Sequence, residues 1–131
     1  MTKPVILCVD DERVVLESLK TQLKEAFGNA YLYEVAEDAD DALELINELN
    51  ELKIPIIVVV SDWLMPGMKG DEFLIHVHHE FPNIIKILLT GQADSSAIER
   101  AQEQANLHRC LHKPWSEVEL VETLKSALEK L

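Results

Sequence analysis

The sequence predicts an α/β domain, a doubly wound parallel sheet of five strands with five helices covering its faces. Apolar runs of strand length alternate with segments whose apolar residues recur at helical spacing, and this unit repeats five times. The runs are apolar throughout, which is typical of parallel strands buried on both faces. The repeats use the whole chain, so we expect a single domain over residues 1–131.

The first half of the chain supplies two strand–helix units. A strand over 5–9 ends in three acids, and Gly28 with Asn29 terminates the helix that follows. The apolar face of this helix consists of Leu16, Leu19, Leu23, Ala26 and Phe27. A short strand over 31–36 precedes a helix that Asp38 caps. The apolar face of this second helix consists of Ala39, Ala42, Leu43, Ile46 and Leu49.

The third unit contains the most informative stretch of the chain. An apolar, β-branched run over 56–60 is followed by Asp62, so this carboxylate lies at the carboxyl end of a buried strand. Pro66 and Gly67 then force a loop, and a helix over 71–80 follows. Open α/β sheets bind their ligands at that edge, which makes Asp62 a candidate site residue.

The last two units carry helix-start signals. The fourth strand covers 84–89 and the fifth covers 109–112. A capping box of Ser96 with Glu99 is expected to open a helix over 97–105 after the fourth strand. A second capping box, of Ser116 with Glu119, is expected to open the last helix. The apolar face of the last helix consists of Leu120, Val121, Leu124, Leu128 and Leu131.

Composition limits the partners and the location of the protein. The formal net charge is −12, which argues against nucleic acid as a direct partner because phosphate backbones need Lys and Arg. It equally disfavours an anionic membrane surface, and no apolar run approaches the roughly 18 residues of a spanning helix. Because no signal-peptide pattern precedes the first strand, we expect a cytoplasmic protein in which Cys8 and Cys110 are reduced, buried thiols.

The carboxyl ends of the strands carry the candidate chemistry. Parallel strands end at one edge, so the acids of the first strand, Asp10 and Asp11, should meet Asp62, Thr90 and Lys113 there. Three carboxylates repel one another and one Lys cannot neutralise them, whereas Mg²⁺ prefers such oxygen ligands. A carboxylate can also attack phosphorus, with cationic groups and a hydroxyl neutralising the phosphoryl oxygens. Each residue alone is an ordinary turn residue, and only the joint pattern indicates phosphoryl transfer.

Four motifs resemble those of the receiver domains of two-component response regulators. They are VDDE at 9–12, SDWLMPGMKG at 61–70, LTG at 89–91 and HKPW at 112–115. The resemblance covers essentially the full length of the chain. It implies the strand order 2-1-3-4-5 of flavodoxin-like sheets and a cis bond between Lys113 and Pro114.

The resemblance also implies a role for each site residue. Asp62 would be the phosphoacceptor, Lys113 would pair with the phosphoryl group, and Thr90 would move to hydrogen-bond it. The Mg²⁺ ligands would be Asp10, Asp11, Asp62 and the backbone carbonyl of Leu64. Leu64 and Gln92 occupy the two positions that in this family tune the lifetime of the phosphate.

The partners are implied in the same way. The phosphodonor would be a sensor histidine kinase or a phosphotransfer protein, and the reader would be a downstream output domain or partner protein. A homodimer through the fourth and fifth helices is a further option, and the chain resembles receivers that are fused to output domains. Receivers usually carry an aromatic residue three positions before the Lys, whereas Cys110 stands there in this chain, and a thiol is too small to move with Thr as that aromatic side chain does.

Two other functions fit parts of this pattern. A phosphorylation-independent interaction module could use the same fold, although such modules normally lack one of the five site residues. An aspartate-nucleophile phosphatase would need an Asp-x-Asp motif after the first strand, where this chain has Asp10 and Asp11. His76 and His79 share a helix face, for which a solvated surface is a better interpretation than a metal site because the ligand set is incomplete. Trp63 and Trp115 flank the proposed site and are interpreted as packing.

Overall fold

A computed structural model describes residues 3–91 and 95–131. The strands are β1 (Val5–Val9), β2 (Leu32–Ala36), β3 (Ile56–Asp62), β4 (Ile85–Thr90) and β5 (Arg109–His112). The helices are α1 (Arg13–Phe27), α2 (Ala39–Glu51), α3 (Gly70–Glu80), α4 (Ser95–Ala105) and α5 (Glu117–Leu128). The five strands form one parallel sheet in the order β2-β1-β3-β4-β5, which confirms the predicted fold class.

The sheet has a hydrophobic core on each face because successive side chains of a strand point to opposite sides. Along β1, Val5, Leu7 and Val9 belong to the core under α2 and α3, whereas Ile6 and Cys8 belong to the core under α1 and α5. All five residues are buried, as the unbroken apolar run requires. The site residues at the strand ends therefore project from a rigid central layer.

The predicted ends of several helices are confirmed. Gly28 follows α1 with a φ of 62°, a conformation that glycine adopts without strain. Asp38 caps α2 by accepting a hydrogen bond from the backbone N–H of Asp41, and Ser116 caps α5 by accepting one from Glu119. These helices start and stop where local chemistry satisfies the end groups of the backbone.

Several boundaries differ from the prediction, and β2, α3 and β4 each differ by one residue. Helix α4 begins at Ser95, so Ser96 lies inside it, and the capping box of Ser96 with Glu99 was wrong. Strand β3 continues to Asp62 because Ser61 pairs with β1 and Asp62 pairs with Leu89 of β4. Helix α5 ends at Leu128, and the side chain of Leu131 is exposed instead of sharing the apolar face. Among the described residues, no helix has both the length and the apolar character that a bilayer crossing requires.

Candidate functional site

Asp62 lies at the end of the central strand, where the chain folds back on itself. The backbone N–H of Trp63 donates to the carbonyl of Leu89 at 2.9 Å, which extends the β3–β4 pairing by one residue. The N–H of Gly70 donates to the carbonyl of Trp63 at 2.7 Å. A Cβ at Gly70 would overlap the backbone carbonyl of Asp62, so only glycine allows α3 to begin this close to the strand.

The acids that follow β1 occupy different environments. The side chain of Asp10 is fully buried, and its Oδ1 accepts a hydrogen bond from the N–H of Glu12 at 2.9 Å. That bond shapes the turn into α1, since Asp side chains favour such bonds to the backbone two residues on. Asp11 is exposed at the rim of the site. One acid is therefore held in place while its neighbour is open to solvent.

Lys113 connects the two buried acids. Its Nζ donates to Asp10 Oδ2 at 2.8 Å and lies 3.2 Å from Asp62 Oδ1. The backbone N–H of Lys113 donates to the carbonyl of Thr90 at 2.9 Å, and the bond to Pro114 is cis, as the resemblance implied. Residues from β1, β3, β4 and β5 thus meet at the carboxyl edge of the sheet.

The structure brings the predicted site residues to one open cavity. Asp11, Asp62, Leu64, Thr90 and Lys113 all line it, and Asp10 lies beneath it. The carboxylates of Asp10, Asp11 and Asp62 each offer an oxygen within 4.8 Å of the others. Thr90 is buried at the end of β4, and its own backbone carbonyl accepts the N–H of Lys113. Gln92 lies outside the described residues.

The electrostatics of the cavity are dominated by burial and by excess negative charge. Burial raises the pKa of Asp62 to about 6, and the charges of Asp10 and, to a smaller extent, Asp11 add to the rise against the opposing effect of Lys113. Burial by itself lowers the pKa of Lys113, but its hydrogen bond to Asp10 and the charges of Asp10 and Asp62 raise it overall. Three acids thus face one ammonium group. A hard divalent cation would balance them, and the all-oxygen donor set fits Mg²⁺.

Sequence reasoning missed one buried acid near the site. Asp71 is buried at the start of α3, where its Oδ1 accepts the indole N–H of Trp63 at 3.0 Å. Its Oδ2 accepts a hydrogen bond from Arg100 of α4 at 2.9 Å. The available signal was an acid three residues before Leu74 on the apolar face of the predicted helix, because a buried acid needs partners.

Other candidates have ordinary surroundings. Cys110 is half-buried and packs against the core with Ile98 and Leu107, and burial raises the pKa of its thiol. The indole N–H of Trp115 donates to Gln22. Among residues 3–91 and 95–131, the three aspartates are the one group of metal-type ligands, so the histidines of α3 form no such set. His78 instead lies with its Nδ1 2.8 Å from Nζ of Lys86.

The chain belongs to the response regulator receiver domains, because the sequence profile of that family matches residues 6–125. Members of this family are switch domains and not conventional enzymes, and they work with histidine kinases and output domains. The crystal structure of the signal receiver domain of an HD domain-containing protein from Pseudomonas fluorescens Pf-5 is similar, with a TM-score of 0.86 and 34% identity. That likeness covers 98% of this chain and 96% of the other.

Two curated relatives differ in length. The hydrogenase transcriptional regulatory protein HoxA of Cupriavidus necator is 32% identical over 124 residues, which are 95% of this chain and 24% of the relative. The chain therefore spans about a quarter of the length of that regulator. The chemotaxis protein CheY-3 of Vibrio cholerae is 31% identical over 129 residues, which cover 96% of this chain and 92% of the relative.

Proposed function

We propose that residues 1–131 form a single receiver domain that acts as a phosphorylation-controlled switch, with Asp62 as the phosphoacceptor. The observation that carries the proposal is the ammonium group of Lys113, which contacts both Asp10 and Asp62 at the edge of the sheet. This arrangement holds a carboxylate nucleophile and a cation at one point in an open cavity. The phosphodonor is a sensor histidine kinase or a phosphotransfer protein, in keeping with the family.

The transfer step follows from the charges. With a pKa of about 6, Asp62 is mostly ionised at neutral pH and can act as the nucleophile. Its carboxylate attacks the phosphorus of a phosphohistidine, the P–N bond breaks, and the imidazole leaves with the electron pair. Lys113 contacts Oδ1 of Asp62 and stays close to the phosphoryl oxygens as their charge accumulates. The product is an aspartyl phosphate on Asp62.

We assign the metal site to the same edge. Asp10, Asp11 and Asp62 would hold the ion through their carboxylates, and the backbone carbonyl of Leu64, a residue that lines the same cavity, would complete the set. When bound, Mg²⁺ supplies positive charge against the phosphoryl oxygens and the carboxylates. Lys113 alone leaves the site net negative, which would repel an incoming phosphoryl group.

The output of the switch begins at Thr90. This residue ends β4 and its carbonyl holds Lys113, so a phosphoryl group on Asp62 meets both side chains at once. We propose that Thr90 moves to hydrogen-bond the phosphoryl group and that this shifts a two-state equilibrium of the face formed by α4, β5 and α5. An output domain, a partner protein or a second copy of this chain, docked through α4 and α5, reads the shift.

The direct test is intact mass spectrometry after incubation with Mg²⁺ and a small acyl phosphate. The wild-type chain should gain the mass of one phosphoryl group, and Asp62→Asn should gain nothing. A gain by both proteins would place the acceptor elsewhere. No gain by the wild type, with acyl phosphate or with phosphohistidine donors, would refute the switch.

A second test addresses the metal. Mg²⁺ titrations followed by NMR should give a saturable response in the wild-type chain and none in Asp11→Ala. The control is Glu51→Ala, since Glu51 is an exposed acid at the end of α2, which leads into the opposite edge of the sheet. An equal loss in both variants would mean that total charge, and not a site, governs binding. An intact response in Asp11→Ala would remove Asp11 from the ligand set.

A further inference from the structure

Three side chains connect the proposed phosphoacceptor to α4. Trp63 follows Asp62 directly and donates its indole N–H to Oδ1 of Asp71. Oδ2 of the same carboxylate pairs with Arg100, 29 residues further along the chain. We refer to Trp63, Asp71 and Arg100 as the indole–carboxylate–guanidinium network. Each oxygen of one buried acid has one partner, and the two partners lie on different elements.

The middle member of the network makes the connection stiff. The side chain of Asp71 is only 4% exposed, so these two hydrogen-bond donors, and not water, stabilise the charge of its carboxylate. Arg100 is half exposed, which allows its guanidinium to leave the pair for solvent at a modest cost. Asp71 is therefore the fixed member, and Arg100 is the member that can release.

The backbone ties the network to the site. Trp63 donates to the carbonyl of Leu89, the residue before Thr90, and accepts from Gly70 at the start of α3. Lys69 belongs to the same loop as Trp63, and its ammonium group lies 4.9 Å from the centre of the Trp63 ring. Trp63 therefore follows Asp62 directly and is hydrogen-bonded to the residue that precedes Thr90.

We propose that Asp71 and Arg100 are positioning residues that hold α4 in its unphosphorylated arrangement and that couple α4 to Asp62 through Trp63. This inference rests on the proposed function of Asp62. In receivers an aromatic side chain usually couples the site to the face formed by α4, β5 and α5, but Cys110 stands at its position and is small. The indole–carboxylate–guanidinium network takes over that coupling. Whatever holds α4 in the unphosphorylated arrangement lowers the population of the arrangement that accepts the phosphoryl group, and it therefore slows phosphorylation of Asp62.

The test is the rate at which Asp62 is phosphorylated by an acyl phosphate at saturating Mg²⁺. Arg100→Gln and Asp71→Asn should each raise this rate about fivefold, because the half-exposed Arg100 makes the pair a weak restraint whose loss modestly increases the reactive population. Asp71→Asn keeps an oxygen for the indole and breaks only the ion pair. The double variant should be no faster than either single variant, since both remove the same interaction.

Two controls separate positioning from loss of structure. Arg100→Lys keeps the charge and should stay within about twofold of the wild-type rate, allowing for the weaker geometry of an ammonium group. Lys24→Gln makes the same change in net charge at an exposed position of α1, outside the face formed by α4, β5 and α5, and should have no effect. Equal acceleration by Lys24→Gln would reduce the effect to net charge and overturn the proposal.

A second readout follows the network without phosphorylation. The chain has two tryptophans, so the NMR spectrum of nitrogen-labelled protein should show two indole resonances, which Trp63→Phe assigns. Arg100→Gln should shift the Trp63 resonance and leave that of Trp115, whose indole binds Gln22, in place. An unmoved Trp63 resonance would show that the network does not form.

The outcomes distinguish this inference from the function on which it rests. If the wild-type chain is phosphorylated and both variants match its rate, only the coupling is refuted. If the wild-type chain takes up no phosphoryl group, the proposed function fails and the coupling fails with it. Faster single variants, a double variant that is no faster, and a shifted Trp63 resonance together support the proposal.

Discussion

Replacing Asp62 with Asn should stabilise the folded protein at neutral pH, in the absence of Mg²⁺. Burial and the charge of Asp10 raise the pKa of Asp62 from 3.8 to about 6. Between these values the folded protein keeps a proton that the unfolded chain has released, so stability falls as the pH rises from 3.8 to about 6. Above that window the full cost is present, and a shift of this size corresponds to about 3 kcal/mol.

The attraction of Lys113, whose Nζ lies 3.2 Å from Asp62, is already included in this raised pKa. We therefore expect the free energy of unfolding to rise by about 2–3 kcal/mol at pH near 7.5 and by less than half of that near pH 4, where the folded wild-type protein holds Asp62 neutral. At about 3–4 °C per kcal/mol, the melting midpoint at the higher pH should rise by several degrees.

The assay is urea unfolding followed by circular dichroism, with a chelator present and at both pH values. Glu103→Gln is the control, because it makes the same acid-to-amide change at an exposed position of α4. A destabilised Asp62→Asn variant at neutral pH would refute the reasoning. So would a gain of equal size at both pH values, since the argument requires the gain to follow the ionisation of Asp62.

Three further predictions concern stability. Gly70→Ala should lose about 2–3 kcal/mol in urea unfolding, because its Cβ would overlap the backbone of Asp62 and neither backbone can move freely. Lys86→Met should be more stable than the wild type at neutral pH: burial lowers the pKa of Lys86 to about 8, so the folded protein binds its proton less tightly than the unfolded chain does. The stability of the wild type should therefore rise between about pH 8 and pH 10. An equal rise in the melting midpoint of Lys86→Met over the same pH range would contradict this. Ser116→Ala should cost about 1 kcal/mol, measured by thermal melting, because the oxygen that accepts the N–H of Glu119 is lost.

Local signals in the sequence predicted those elements whose ends are defined by their own residues. The apolar spacing of Leu16, Leu19 and Leu23 and the glycine at position 28 define α1, and all of these act within a few residues. The start of α4 was misplaced because Ser96 and Glu99 have the spacing of a capping box while both lie inside the helix, which begins at Ser95. A motif of two residues does not exclude a helix that starts earlier.

The sequence by itself determined the fold class, and with it the edge at which the site lies. Unbroken apolar runs require a sheet covered on both faces, and parallel strands carry Asp62, Thr90 and Lys113 to the same edge. This much follows from periodicity and topology, which are properties of short segments and of their order in the chain.

Only the tertiary structure decided how the polar groups share their partners. It divides the oxygens of Asp10 between the N–H of Glu12 and the ammonium group of Lys113, and it pairs Asp71 with Arg100. The raised pKa of Asp62 likewise depends on burial and on charges from distant parts of the chain. Such contacts join residues far apart in sequence and depend on distances of a few ångströms, so no local pattern contains them.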